Sequence, residues 1–511
     1  MRTLPFAAVV LSVLSLTSHR PLALQGATGS LADARQNQFE IALPPDSELN
    51  SIAPAPDSRI VVSGWTSSDA FPITPGAVQA QCDRTLFGYC LSPFVMVFSP
   101  RGDLLYSTFV GGEGPRWLTA ATPDPGGGIW LLLGGAHQAP DPLFPECGMG
   151  QSVLAHIRPG LPGYDRFACD DPYAPWLGAV WGMTVARDGT IWLVGTAEPS
   201  TAIATKNAWQ SRSAGGTDVF AIRYSAGSQE ILVGTYLGGR DRDYATAMAI
   251  APDGDLVIVG RTQSVDFPAV RPLQDRLGAS RSEVGDAFIT RLDEKGRLLD
   301  YSTWLGGAED DGARGVSVDA SGNAYVIGDT GSADFPVTAG TAGTRIWPGP
   351  WSGFLASVDA TGRLRFSTRA SEGQRYMMAR DDGSVFVAGA TCQPDFPRAG
   401  RVPRLWPSNP LCPYPFFVHT DPFASALVRS TLVPVVTGLD PKVDTPTPRL
   451  GMGNWIEAAA FDANYLYLAG NTVLWYRPSP TSDMLHLRTG HYLKKWYIGD
   501  PPEWERRGDR R

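Results

Sequence analysis

The chain has 511 residues, more than one hydrophobic core usually serves, so either several domains or a repetitive architecture must share the burial. Its net charge of -8 excludes a phosphate-backbone partner, which needs a dense positive surface; no nucleic-acid partner is expected. With 43% hydrophobic and 18% charged residues the composition is globular, and 56 Gly and 43 Pro point to a turn-rich, all-β chain.

In chain order, the first 27 residues read as a secretory signal: a basic Arg2, an apolar stretch from Leu4 to Leu16, then small and polar residues. That stretch is too short to span a membrane comfortably, and no later segment approaches the required length, so no transmembrane segment is expected after the signal. A bacterial protein that is secreted or periplasmic is the expectation. FEIAL, within 38–43, is a candidate latch strand for closing a ring from the N-terminus, with MLHLR and YLKKWYI near the C-terminus as the alternative.

Seven times a β-branched or aromatic run then ends in glycine, at Gly64, Gly134, Gly195, Gly260, Gly328, Gly389 and Gly470, spaced 61 to 81 residues apart. Each run follows a turn rich in Asp, Asn and Gly (PDS, PDPGGG, RDG, PDG, DASG, RDDG, DAN), a hairpin signal because these residues tolerate positive φ. Before each turn lies a run of small residues, such as TAAT, TAMAIA or EAAAF, suited to strands crowded round an axis. A third run (FVMVF, DVFAIRY, DAFITRL) and a fourth (TFVGG, TYLGG, TWLGG) complete each unit. Four strands joined as a meander make a propeller blade. The expected fold is all-β, a seven-bladed β-propeller of four-stranded antiparallel blades over 38–498. Its blades are placed at approximately 51–112, 117–175, 179–239, 243–307, 311–373, 374–436 and 455–498, followed by a charged tail at 499–511.

The order G-x-T, D-F-P, D-A-F, Y-S-T-W-L-G-G resembles the bacterial β-propeller repeat called SBBP. GRTQSVDFP at Gly260, GDTGSADFP at Gly328 and GATCQPDFP at Gly389 carry the resemblance best, and the flanking units are degenerate. The resemblance implies a fold and an exported habit, and it brings no active site.

Six cysteines in an exported chain invite disulfides, and proximity favours Cys82 with Cys90, Cys147 with Cys169, and Cys392 with Cys412. In a four-strand meander, the first-to-second and third-to-fourth turns share one face; the second-to-third and blade-to-blade connections share the other. The second set is expected to be long and to carry binding chemistry. On that face fall two acidic clusters, Asp241 with Asp243 and Glu309 with Asp310 and Asp311, which are candidates for Ca²⁺ or, more plainly, for ordering the loops. The recurring Asp266, Asp334 and Asp395 of the D-F-P elements are expected to bind loop amides. Trp209, Trp347, Trp351 and Trp406 lie in long loops, either as aromatic platforms for a ligand or packed down on the blades.

Catalytic motifs are missing: there is no H-E-x-x-H, no G-x-S-x-G and no phosphate-cradling loop. The leading expectation is therefore a binding or interaction scaffold that recognises a surface glycan or a protein partner. A carbohydrate-active lyase or hydrolase with acidic residues at the channel mouth is the first alternative, and a structural envelope or surface-layer repeat protein is the second. No cofactor beyond Ca²⁺ is expected.

Overall fold

The computed structural model describes residues 39–497 apart from 45, 86–87, 112–116, 135–146, 148–151, 170–179, 198–202, 279–284, 344–351, 393–395, 397–398, 400–413, 434–450, 462–464 and 477–485. Residues 1–27, expected to be a signal, the charged tail, Trp347, Trp351, Trp406, Asp395 and Cys412 lie outside the described residues.

Among the described residues, twenty-eight strands form seven four-stranded antiparallel sheets. Blade one holds β2 (Ser47–Pro54), β3 (Ile60–Thr66), β4 (Ser92–Phe98) and β5 (Leu104–Phe109). Blade two holds β6 (Leu118–Pro123), β7 (Ile129–Leu133), β8 (Val153–Ile157) and β9 (Arg166–Cys169). Blade three holds β10 (Val180–Val185), β11 (Ile191–Ala197), β12 (Asp218–Ser225) and β13 (Glu230–Leu237). Blade four holds β14 (Asp243–Ile250), β15 (Leu256–Thr262), β16 (Asp286–Leu292) and β17 (Leu299–Leu305). Blade five holds β18 (Asp311–Val318), β19 (Ala324–Thr330), β20 (Ser352–Val358) and β21 (Leu364–Ala370). Blade six holds β22 (Gln374–Ala379), β23 (Val385–Thr391), β24 (Tyr414–Thr420) and β25 (Leu427–Leu432). Blade seven joins β26 (Gly451–Phe461), β27 (Tyr465–Tyr476) and β28 (His486–Tyr497) to β1 (Phe39–Leu43) from the N-terminus. The two C-terminal runs form one strand, β28, and β1 pairs along it from Leu43 opposite His491 to Phe39 opposite Lys495. The Lys494 ammonium holds Glu40 at 2.8 Å across that seam.

Each blade's first strand touches the first strand of the next blade, and β26 touches β2, so the first strands line the axis and the ring is closed. Among the described residues the second and third strands are mostly buried, and their side chains form the cores between neighbouring blades.

The recurring motifs now have physical causes. The Phe of each D-F-P element packs on the Phe near the start of its blade's third strand: Phe71 on Phe94, Phe267 on Phe288, Phe335 on Phe354 and Phe396 on Phe416, with ring centroids 4.6 to 5.0 Å apart. Between that Phe and the first strand there is no room for a side chain. A Cβ on Gly260 would stand 1.9 Å from the Tyr244 carbonyl oxygen and 2.7 Å from the Phe288 ring. Gly260→Ala should therefore cost about 2 kcal/mol by overpacking. Gly312→Ala, whose Cβ would meet nothing within 4 Å, should not clash. Urea unfolding of the two variants, read at their midpoints, checks this, and equal losses would refute the steric explanation.

The second-to-third loops of blades one to six are long, whereas most blade-to-blade links, such as that from Leu237 to Asp243, are short; the link from Leu432 to Gly451 is the long exception, and it exceeds blade seven's second-to-third loop from Tyr476 to His486. Among the described residues, the second-to-third loops of blades one, three, four, five and six run down the outer edge of their own blade, where the fourth strand holds them. Thr74 N–H donates to Ser107 O and Gln79 N–H to Thr108 Oγ1 in blade one. Val270 exchanges bonds with Ser302, and Leu273 N–H donates to Thr303 Oγ1, in blade four. Ala399 exchanges bonds with Ser430 in blade six. In these blades the loop thereby covers an edge strand that would otherwise offer unpaired backbone groups.

The opposite face is held by cation–carboxylate clamps. The turn aspartates engage a basic residue at one register position of the third strand. His156 lies between Asp124 (2.7 Å) and Asp165 (2.5 Å), Arg223 binds Asp188 (2.7 Å), and Arg291 binds Asp253 (2.5 Å) and Asp255 (3.0 Å). Burial alone would raise the Asp188 carboxyl, but bonds from Thr190 and the Arg223 charge hold it below its ordinary value.

Candidate functional site

One irregularity recurs in all seven blades. Where the first strand pairs with the second, two residues face one, after Leu49, Leu118, Val180, Ala245, Ala313, Gln374 and Ile456. Such a β-bulge frees one side chain from the pleat and re-aims it. The freed residues are Asn50, Thr119, Trp181, Thr246, Arg314, Arg375 and Glu457; all are exposed except the half-buried Glu457. Because the first strands are innermost, these residues form a ring round the channel, close to the mouth on the long-loop side.

Part of that ring is structural. Asn50 Nδ2 donates to Leu118 O at 3.0 Å, Thr246 Oγ1 donates to Ala313 O at 2.8 Å, and Leu49 N–H donates to Glu457 Oε2 at 3.0 Å. Each bond joins neighbouring first strands at the residue just before the bulge, the last of them across the closure between blades seven and one. The Tyr376 hydroxyl likewise donates to Glu457 O at 2.9 Å, and burial pushes that phenol up, opposed by the Arg375 charge. Glu457 and Tyr376 thereby tie the first strands of blades one, six and seven together.

Another part faces solvent with large apolar surface. Trp181 is 68% exposed; Trp117, just ahead of β6, is 60% exposed, and Tyr244, one residue before the blade-four bulge neighbour Ala245, is 38% exposed. Trp117 rests on the half-buried Trp65 of β3, centroids 4.8 Å apart. Blades one to four thus carry an aromatic arc. Arg314, braced at Nε by Asp329 Oδ2 at 2.7 Å, and Arg375 follow on blades five and six. Glu48 and Glu372 are also exposed at this rim.

The acidic residues singled out in the sequence do not gather into a cation site. Asp243 and Asp311 are buried and accept from the glycines before them: Gly239 N–H at 2.8 Å with Ser264 Oγ at 2.9 Å, and Gly307 N–H at 2.7 Å with Ser332 Oγ at 2.8 Å. Asp241 and Glu309 give their N–H groups to those same serines, at 3.0 and 2.9 Å. Asp310 takes Arg261 at 2.6 Å. Asp266 and Asp334 accept the Arg240 and Ala308 N–H groups, both at 3.0 Å, as expected of loop-binding carboxylates. Among the described residues, the one group of three candidate metal ligands within reach of each other is Asp69, Cys82 and Cys90, and its two sulfurs are bonded to each other.

Cys147 is bonded to Cys169 in blade two, and Cys392 is disulfide-bonded in blade six. Trp209 lies on the perimeter, away from the mouth: its N–H donates to Gly296 O, in the third-to-fourth turn of blade four, at 2.8 Å. That placement follows from the loop running down the edge of β13. The aromatic arc of the mouth escaped the sequence reading because bulge positions share no residue type. A Trp directly ahead of a run of small residues, as at Trp117 and Trp181, is the signal that could have found it.

Residues 300–336 match the SBBP family, described as a beta-propeller repeat. Among curated proteins the chain is similar to the regulatory protein FlaEY of Caulobacter vibrioides, 27% identical over 204 residues, which is 40% of this chain and 20% of that protein. The chain thus spans about a fifth of the length of the curated relative it matches. Among solved structures it is similar to a PL25 ulvan lyase, with 10% identity, TM-score 0.43, and coverage of 90% of this chain and 96% of that one. It is also similar to an acylaminoacyl peptidase of Pyrococcus horikoshii, with 9% identity, TM-score 0.40, and coverage of 84% and 52%. At these values neither likeness bears on activity. Fold and repeat together identify the chain as a seven-bladed β-propeller that carries the SBBP-type repeat.

Proposed function

We propose that the protein is an exported bacterial binding scaffold, secreted or periplasmic, and that a glycan is its ligand at the channel mouth on the long-loop side. One observation carries the reading: Trp117 on Trp65, Trp181 and Tyr244 expose aromatic surface at related positions of neighbouring inner strands, where burial does not require it. Aromatic faces stack on the C–H faces of sugar rings, and a rigid ring of blades presents them without ordering a loop. Export is supported by the leader-like first 27 residues and by disulfides in the loops of blades one and two.

Trp117→Ala and Trp181→Ala should each weaken a captured glycan about tenfold, a loss typical of one exposed stacking platform. Melting temperatures should hold. A glycan-array screen followed by titration calorimetry reads this. Unchanged affinity in both variants for every captured glycan would overturn the site, and concentration-dependent assembly of the purified protein would favour a surface-layer role.

A further inference from the structure

We infer that the glycan taken at the mouth is anionic, and that Arg314 and Arg375 select it; this rests on the glycan reading above. The bulge places Arg314 of β18 and Arg375 of β22 at the position that Trp181 holds in blade three. Blades five and six are neighbours, and their first strands touch. Two exposed guanidinium groups therefore stand on adjacent inner strands at one level of the channel, across from the aromatic arc of blades one to four.

Guanidinium groups match carboxylate and sulfate oxygens with paired N–H donors, which sets them apart from the hydroxyls of a neutral sugar. The chain as a whole carries -8, so a cationic arc here is a local feature and does not reflect a general basic surface. The carboxylates that share the rim are accounted for in part: Glu457 accepts the Leu49 N–H, and Asp329 braces Arg314. Glu372 adjoins the arc on blade six and Glu48 lies beyond blade seven on blade one, so the positive stretch of the rim is confined to blades five and six. A polymer bearing spaced acidic groups and stackable ring faces, as in uronic-acid or sulfated polysaccharides, satisfies both arcs together.

The mature protein should be titrated with polygalacturonate and its methyl-esterified counterpart, and with dextran sulfate and dextran, using polyglutamate as a polyanion without sugar rings. The inference expects at least one charged polysaccharide to bind about tenfold tighter than its neutral partner, with affinity falling as salt rises. In Arg314→Gln/Arg375→Gln that preference should vanish while any neutral-glycan binding stays, whereas Trp117→Ala should weaken charged and neutral forms alike. Equal affinity for charged and neutral partners would overturn the anionic inference and leave the glycan reading standing. Binding to none of the four polysaccharides would overturn both. Polyglutamate binding as tightly as the charged polysaccharide would show charge attraction without sugar recognition, and would overturn the inference as well.

Discussion

Replacing Arg291 with alanine is expected to cost about 2–3 kcal/mol of folding stability, because it removes a buried guanidinium and leaves the half-buried Asp255 without its cation, while the more exposed Asp253 and Asp300 are screened by solvent. The side chain is buried on the third strand of blade four. It donates through Nη2 to Asp253 at 2.5 Å and through Nε to Asp255 at 3.0 Å, with Asp300 at 3.4 Å, and its Nη1 reaches the Gly322 carbonyl of blade five at 3.0 Å. One guanidinium thus fastens two strands, a turn and the neighbouring blade. Burial already raises the Asp255 carboxyl, and the bond from Arg291 is the largest influence opposing that rise, so the arginine's loss acts on the group least able to bear it. Urea denaturation of Arg291→Ala, Asp255→Asn and the double variant separates the causes. Part of the loss should return in the double variant, where one orphaned charge is gone. Strict additivity would mean that the damage is lost packing, with no electrostatic share.

The same clamp shows what a sequence can and cannot display. Asp124, Asp188 and Asp253 are legible as turn formers, since local chain geometry demands such residues between two short strands. Their second task, gripping His156, Arg223 and Arg291, depends on the register between the second and third strands, which no short window contains. Blade number, strand order and the small residues of the inner strands are legible for the opposite reason: they rest on local alternation repeated at a steady interval. Asp266 and Asp334 were legible as loop anchors because their recurrence with the repeat marks them as architecture.

The channel mouth was not legible. A bulge is a matter of pairing between strands, and its seven freed residues, from Asn50 to Glu457, share no chemistry. Trp209 shows the converse: topology assigns a long-loop residue to the loop face, whereas its loop is pinned down the blade edge by Thr235, whose Oγ1 accepts the Gln210 N–H at 3.1 Å. That recurring threonine of the fourth strand is the clue, because a buried hydroxyl at an outer edge needs a partner that comes from outside the sheet.

Asp243→Asn is expected to stabilise the protein at neutral pH and to make no difference in acid. Asp243 is fully buried at the seam between blades three and four, and its carboxyl is pushed up to about 6, first by burial and in lesser part by the Asp218 charge, against bonds from Thr262, Gly239 and Ser264. The folded chain therefore holds this proton more tightly than the unfolded chain, where the ordinary value is 3.8. The stabilisation from that proton is complete below the unfolded value and is lost as pH rises through about 6. A shift of this size corresponds to about 3 kcal/mol between the two ends of the window. Asparagine mimics the protonated acid, because its carbonyl can accept both the Gly239 N–H and the Ser264 hydroxyl now received by Oδ2. Urea midpoints of wild type and variant should coincide near pH 4 and diverge through pH 6, with the variant ahead by up to about 3 kcal/mol at pH 8. A gap that stays constant with pH would mean that the amide changes packing alone and that the seam carries no buried charge. Asp311, buried in the corresponding place between blades four and five, is raised for the same reason, so Asp311→Asn should bend the pH curve in the same direction.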